Sequence, residues 1–110
     1  KIGLWWDYLY PPSFYTFRAW LVTSLLGVKE VVISELQAEP WSPGGGPIAQ
    51  VPLEKQVERF DLRQLEENMR FAQRTGIREA YLWGVEWWYW RKVHGDPTFW
   101  EFGKKLFNAK

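Results

Sequence analysis

The string "ISELQAEPW", residues 33–41, sets Glu35, Gln37, Glu39 and Trp41 close together behind the β-branched run Val31, Val32 and Ile33. A glutamate delivered by a strand can serve as a nucleophile or a general acid or base. An amide can bond a hydroxyl, and an indole can stack on a flat apolar ring. The same string also fits a strand that ends in a polar turn, with Glu35 paired to an arginine. Trp83, in "EAYLWGVEWWYW", is the second aromatic candidate, with a packed core indole as its plainer reading. His94 is the sole histidine. No His pair is therefore available for zinc, and a Ser-His-Asp arrangement would rest on that residue alone. It stands in the turn-like "KVHGDP", where a solvated loop role is the simpler assignment. GxGxxG, P-loop and GxSxG patterns are not found, and no metal or cofactor is indicated.

The elements that would hold these side chains alternate. Pro11 and Pro12 precede Ser13, a possible cap, and Phe14, Phe17, Leu21, Val22 and Leu25 recur at helical spacing before Gly27, so the pattern predicts a helix over 13–26. Residues 28–36 are β-branched and largely apolar, which predicts a strand buried on both faces, hence a parallel sheet. Residues 38–59 are rich in Pro and Gly and form a long connection, and loops beyond about 12–15 residues are usually functional or disordered. Asp61 with Gln64 resembles a capping box, and Leu62, Leu65, Met69 and Ala72 share one face up to Gly76, giving a helix over 62–75. A second strand follows over 79–85, and Asp96 with Pro97 opens a last helix carrying Phe99, Phe102, Leu106 and Phe107.

In strands of period two, Val31, Ile33 and Glu35 share one face, and Tyr81, Trp83 and Val85 alternate in the same way, so Glu35 and Trp83 are expected at one height facing one cleft. Glu86 has the opposite parity to Trp83 and reads as the partner of Arg91 in a buried ion pair. Trp87, Trp88, Tyr89 and Trp90 either line the rim or cover the last helix. The order of elements makes an α/β chain with parallel pairing. Two strands alone leave both edges open, so the chain reads as a single partial domain over 1–110.

Composition narrows the partners. Lys and Arg number 14 against 13 Asp and Glu without a one-sign block, which argues against nucleic acid. With no cysteine, disulfides and thiolate metal sites are excluded, while the cellular compartment stays open. The apolar stretch 19–28 is far shorter than the ~20 residues of a membrane span, so no integral membrane segment is expected. Nine Trp, seven Phe and five Tyr are more than a small core needs and suggest a cleft wall.

"VVISELQAEPW", a long loop, a helix ending in "TG" and then "EAYLWGVEWWYW" closely resemble the last strands of the clan A (β/α)8-barrel glycoside hydrolases, the cellulase-like group, and in particular bacterial cellulase-type glycosyl hydrolases. The resemblance implies the C-terminal fragment of a TIM barrel: helix 6 at 13–26, strand 7 at 28–36, helix 7 at 62–75, strand 8 at 79–85 and helix 8 at 97–108. In that group strand 7 ends in the nucleophile within a Thr-Glu or Ser-Glu pair, matched by Ser34 and Glu35. Strand 8 carries the tryptophan flooring the sugar subsite, matched by Trp83. Gln37, Glu39 and Trp41 would then bind carbohydrate at the rim.

The implied activity is a retaining glycosidase acting on β-linked glycans. The strand 4 Asn-Glu of the acid/base has no counterpart here and is expected upstream of Lys1. Asp7, Tyr8 and Tyr10 would fall in the loop after strand 6. Two other readings compete: a carbohydrate-binding barrel without catalysis, and a Trp-rich structural or membrane-interface module.

Overall fold

A computed structural model describes residues 10–109; Asp7 and Tyr8 lie outside them. The first helix, α1 (Pro12–Leu25), starts on the two prolines, with Ser13 inside it rather than capping it. Gly27, at φ 65°, ends it, and the Val28 N–H turns back to the Val22 carbonyl at 3.3 Å. None of its residues is buried. Phe14 stacks on Tyr10 at 4.2 Å, and the Thr16 hydroxyl donates to the Thr75 carbonyl at 2.7 Å, tying α1 to the turn at Thr75 and Gly76.

Strand β1 spans Ile33–Gln37, and β2 spans Ala80–Trp83. They pair in parallel, with α3 (Leu62–Arg74) between them in sequence, so the molecule is α/β with a small two-stranded sheet. Both strands are shorter than the sequence pattern predicts. Residues 28–32 stay outside the ladder, because β2 is only four residues long and offers them no partner. At the other end, Gly84 at φ 93° swings the chain out of β2, and Val85, expected in the strand, instead begins α4 (Val85–Val93).

The expected burial of both sheet faces is not found. Leu36, 2 % exposed, and Ala38 are covered on the helix side, whereas Tyr81 and Trp83 are about half exposed on the other. The pairing also slips. Ile33 is level with Ala80 but Leu36 with Leu82, so β1 uses three steps where β2 uses two. Such a bulge breaks the strict alternation on which the face assignment of Glu35 relied.

The core lies on the helix side and is mostly aromatic. Phe60, Leu65, Trp87, Trp88, Phe99 and Ala38 form one buried cluster. The Trp87 and Phe99 rings meet edge to face at 4.7 Å, joining α4 to α5 (Thr98–Asn108). Gly103 of α5 sits where a Cβ would lie 2.7 Å from the Trp88 ring, so the two helices approach as closely as glycine permits.

Helix α3 matches its expected span. The Asp61 carboxylate accepts the Gln64 N–H at 2.8 Å, Gly76 turns left-handed past its end, and Leu65 and Ala72 are buried. The long connection is pinned rather than loose. Within it, the short α2 (Leu53–Val57) buries Gln56, whose amide donates to the Ile48 and Val51 carbonyls while its oxygen accepts from Trp87 and Arg91.

Candidate functional site

Asn68, buried on α3, fixes the upper end of β1. Its amide donates to the Gln37 carbonyl at 3.0 Å and its oxygen accepts from Gln64 at 3.1 Å. At that end Gln37 and Trp83 are register partners, and the Ala38 N–H donates to the Trp83 carbonyl at 2.8 Å. Beyond the strand, the Gln37 amide reaches forward to the Glu39 carbonyl at 2.9 Å. Buried Ala38 and Pro40 flank Glu39 and hold its backbone in place.

The Glu39 side chain lies directly over Gly84. A Cβ at Gly84 would fall 2.2 Å from the Glu39 Cγ, and φ 93° already disfavours any side chain there. Glycine thus does two things at one position: it starts α4 and it makes room for the carboxylate. Glu86, in the first turn of α4, adds a like charge beside Glu39. Burial pushes the Glu39 carboxyl above the ordinary glutamate range, Glu86 pushes it further, and a hydrogen bond from the Trp83 side chain offsets part of the rise. A carboxyl that keeps its proton longer than usual can donate a hydrogen bond or act as a general acid.

Three residues expected at the site therefore converge at the C-terminal ends of the two strands: Gln37, Glu39 and Trp83. Glu35 is placed differently. It is exposed in the middle of β1, two residues before the level of Trp83, and lies on a depression of about 420 Å³ lined by Tyr15, Arg18, Ala19 and Val22 of α1, residues 31–34 and Ile77. The expected common height of Glu35 and Trp83 is not found: Gln37 is the partner of Trp83, and even an unbroken register from Ile33 and Ala80 would set Glu35 level with Leu82. Trp41 is on the following connection, 57 % exposed.

Glu86 is the residue that sequence reasoning misplaced. Arg91, its expected partner, is paired with Asp96, while the Glu86 charge acts on Glu39 and raises its carboxyl. The signal was present in "WGVEW": a glycine after a strand with an acid two residues on is also a helix start. Among the described residues, Glu35, Glu39 and Glu86 have no cation within ion-pair distance, and no three acidic or histidine side chains gather as a metal site. No helix among them is long and apolar enough to cross a membrane. No family model, curated protein or solved structure matches this chain.

Proposed function

We propose that the chain is the C-terminal part of a (β/α)8-barrel glycoside hydrolase that acts on β-linked glycans with retention. The observation carrying this reading is the gathering of Gln37, Glu39 and Trp83 at the C-terminal end of two parallel strands, with the buried core on the sheet's other face. Barrel enzymes build their sites at that end, from several strand termini. A retaining mechanism needs two carboxyl groups about 5–5.5 Å apart, one to protonate the leaving oxygen and one to attack the anomeric carbon.

In this reading Glu35 is the nucleophile and another strand of the barrel supplies the acid/base. Trp83 offers its half-exposed indole to the sugar ring, while Gln37, Glu39 and Trp41 bind hydroxyls or stack at the rim. In the full-length protein Glu35→Gln is expected to lower turnover of a β-linked aryl glycoside by at least about 10³-fold while the circular dichroism spectrum stays unchanged, since removing a group that acts in the transition state lowers kcat. Hydrolysis within a few-fold of the parent would reject Glu35 as nucleophile.

A second reading is favoured by the position of Glu35 two residues before the Trp83 level. There the barrel binds glycan without cleaving it. Titrating oligosaccharide against intrinsic tryptophan fluorescence separates the two, because a pure binder saturates with no release of reducing ends.

A further inference from the structure

The exit of β1 is held from several sides. Three successive carbonyls each accept from a side chain: Gln37 from the Asn68 amide at 3.0 Å, Ala38 from the Trp88 indole at 2.8 Å, and Glu39 from the Gln37 amide at 2.9 Å. The Ala38 N–H goes to the Trp83 carbonyl at 2.8 Å, and Pro40, which follows, is buried. Helix α4 meets the same turn a second time at Gly84, where the Glu39 side chain packs. Backbone groups that leave a strand can be satisfied by water, whereas these are bonded from α3, from α4 and from the strand itself.

Asn68 stands out among the donors. It is 4 % exposed, and of the polar side chains buried among the described residues it is the one whose hydrogen bond reaches a strand. A leucine would fill the space between α3 and β1 without burying an amide. It would not hold the Gln37 carbonyl. Gln64, donating to the Asn68 oxygen at 3.1 Å, fixes which way the amide points.

Resting on the glycan reading above, we infer that Asn68 is a positioning residue for the sugar. Buried under the strand, it acts through the Gln37 carbonyl and sets the direction in which Gln37 and Glu39 leave β1 beside Trp83. The hydroxyl partners and the stacking surface then meet the ring together. Binding groups must be held to within about 0.5 Å to work in concert, and a strand exit tied only to water is not.

The test uses the full-length protein, titrated by tryptophan fluorescence well below its melting temperature with β-1,4-linked hexamers of glucose, mannose, xylose and N-acetylglucosamine. The tightest binder is carried forward. Asn68→Leu is expected to weaken it by at least about tenfold, the scale on which displaced site groups are felt. In a Gln37→Ala, Glu39→Ala background the same change is expected to alter affinity by less than about twofold, since nothing is left to aim. Unchanged affinity with only a lower melting temperature overturns the inference and leaves the glycan reading standing. An equal loss in both backgrounds also overturns it, because Asn68 would then act on the fold at large. Should Asn68→Leu fail to fold, Gln64→Ala decides, as it frees the Asn68 amide without opening the core: weaker binding supports the inference and unchanged binding rejects it. If no hexamer binds the parent protein, the glycan reading fails and this inference with it.

Discussion

A carboxyl withdrawn from water and set beside a second carboxylate resists ionisation, and Glu39 experiences both. Its folded-state proton affinity therefore exceeds that of the unfolded chain, so the native state binds more protons between the two midpoints and stability falls as pH rises through that window. Removing the charge removes the loss. Glu39→Gln is expected to raise the midpoint of thermal unfolding at pH 7, with the gap to the parent closing as pH falls below the ordinary glutamate range. Near-ultraviolet circular dichroism of buried Trp87 and Trp88 can follow the melt. A variant melting below the parent at neutral pH would show that the carboxylate is instead held by favourable contacts. Glu39 was legible as a candidate because it stands in the same string as Glu35. The influence of Glu86 on it was not, since "WGVEW" signals a helix start but not that this start, turned at Gly84, falls near Glu39.

Helix α3 shows what makes an element readable, and α4 what hides one. In α3 the cap, the apolar stripe and the terminal glycine all agree, so local preference and tertiary demand point the same way. In "VEWWYW" the aromatic and β-branched residues favour a strand. The structure overrides that preference by burying Trp87, Trp88 and Arg91 on one face of a helix. Arg91 explains how such a helix tolerates a buried charge. It donates to the Leu53 carbonyl at 3.1 Å and the Gln56 amide oxygen at 3.2 Å, pairs with the Asp96 carboxylate, and lies over the Trp87 ring at 5.2 Å. Burial tends to raise the Asp96 carboxyl, but hydrogen bonds from Thr98 and Arg91 and the Arg91 charge outweigh it and hold it below the usual aspartate range. Its stabilisation is fully present above the unfolded value and is lost as pH falls through the folded one. Asp96→Asn is expected to cost about 2–3 kcal/mol at pH 7 in urea unfolding, because it strands a buried guanidinium. That cost should shrink below about pH 4, where the parent aspartate is itself being protonated. A loss that stays constant down to pH 2 would place the effect in packing rather than in charge.

Across the whole molecule, packing is one-sided. The chain exposes 8356 Å², against about 6,400 Å² for a compact protein of its mass. Its radius of gyration is 16.0 Å, where about 13 Å is usual for this length. Among the described residues, exposed apolar side chains gather in two places. Helix α1 buries none of its residues, with Phe17, Trp20 and Leu25, and Leu26 just past its end, all more than half exposed, and the sheet shows Tyr81 and Trp83 on its open face. The alternation of helix and strand made two open sheet edges legible from the sequence, but it gave no hint that Phe17, Trp20 and Leu25 of α1 would be left exposed. Stability must then be uneven, since cooperative units draw their strength from buried contacts. In the isolated chain, amide hydrogens of α1 are expected to exchange at least about 10²-fold faster than those of α3 and α4, which flank the aromatic core. The same bare surfaces should bind an apolar dye such as anilinonaphthalene sulfonate and drive self-association as concentration rises. Hydrogen exchange with mass spectrometry, run alongside light scattering, tests both. Uniform protection across α1 and α4, in a monomer that melts in one sharp step and ignores the dye, would mean that the apolar faces are covered in solution and that this chain folds as a self-sufficient unit.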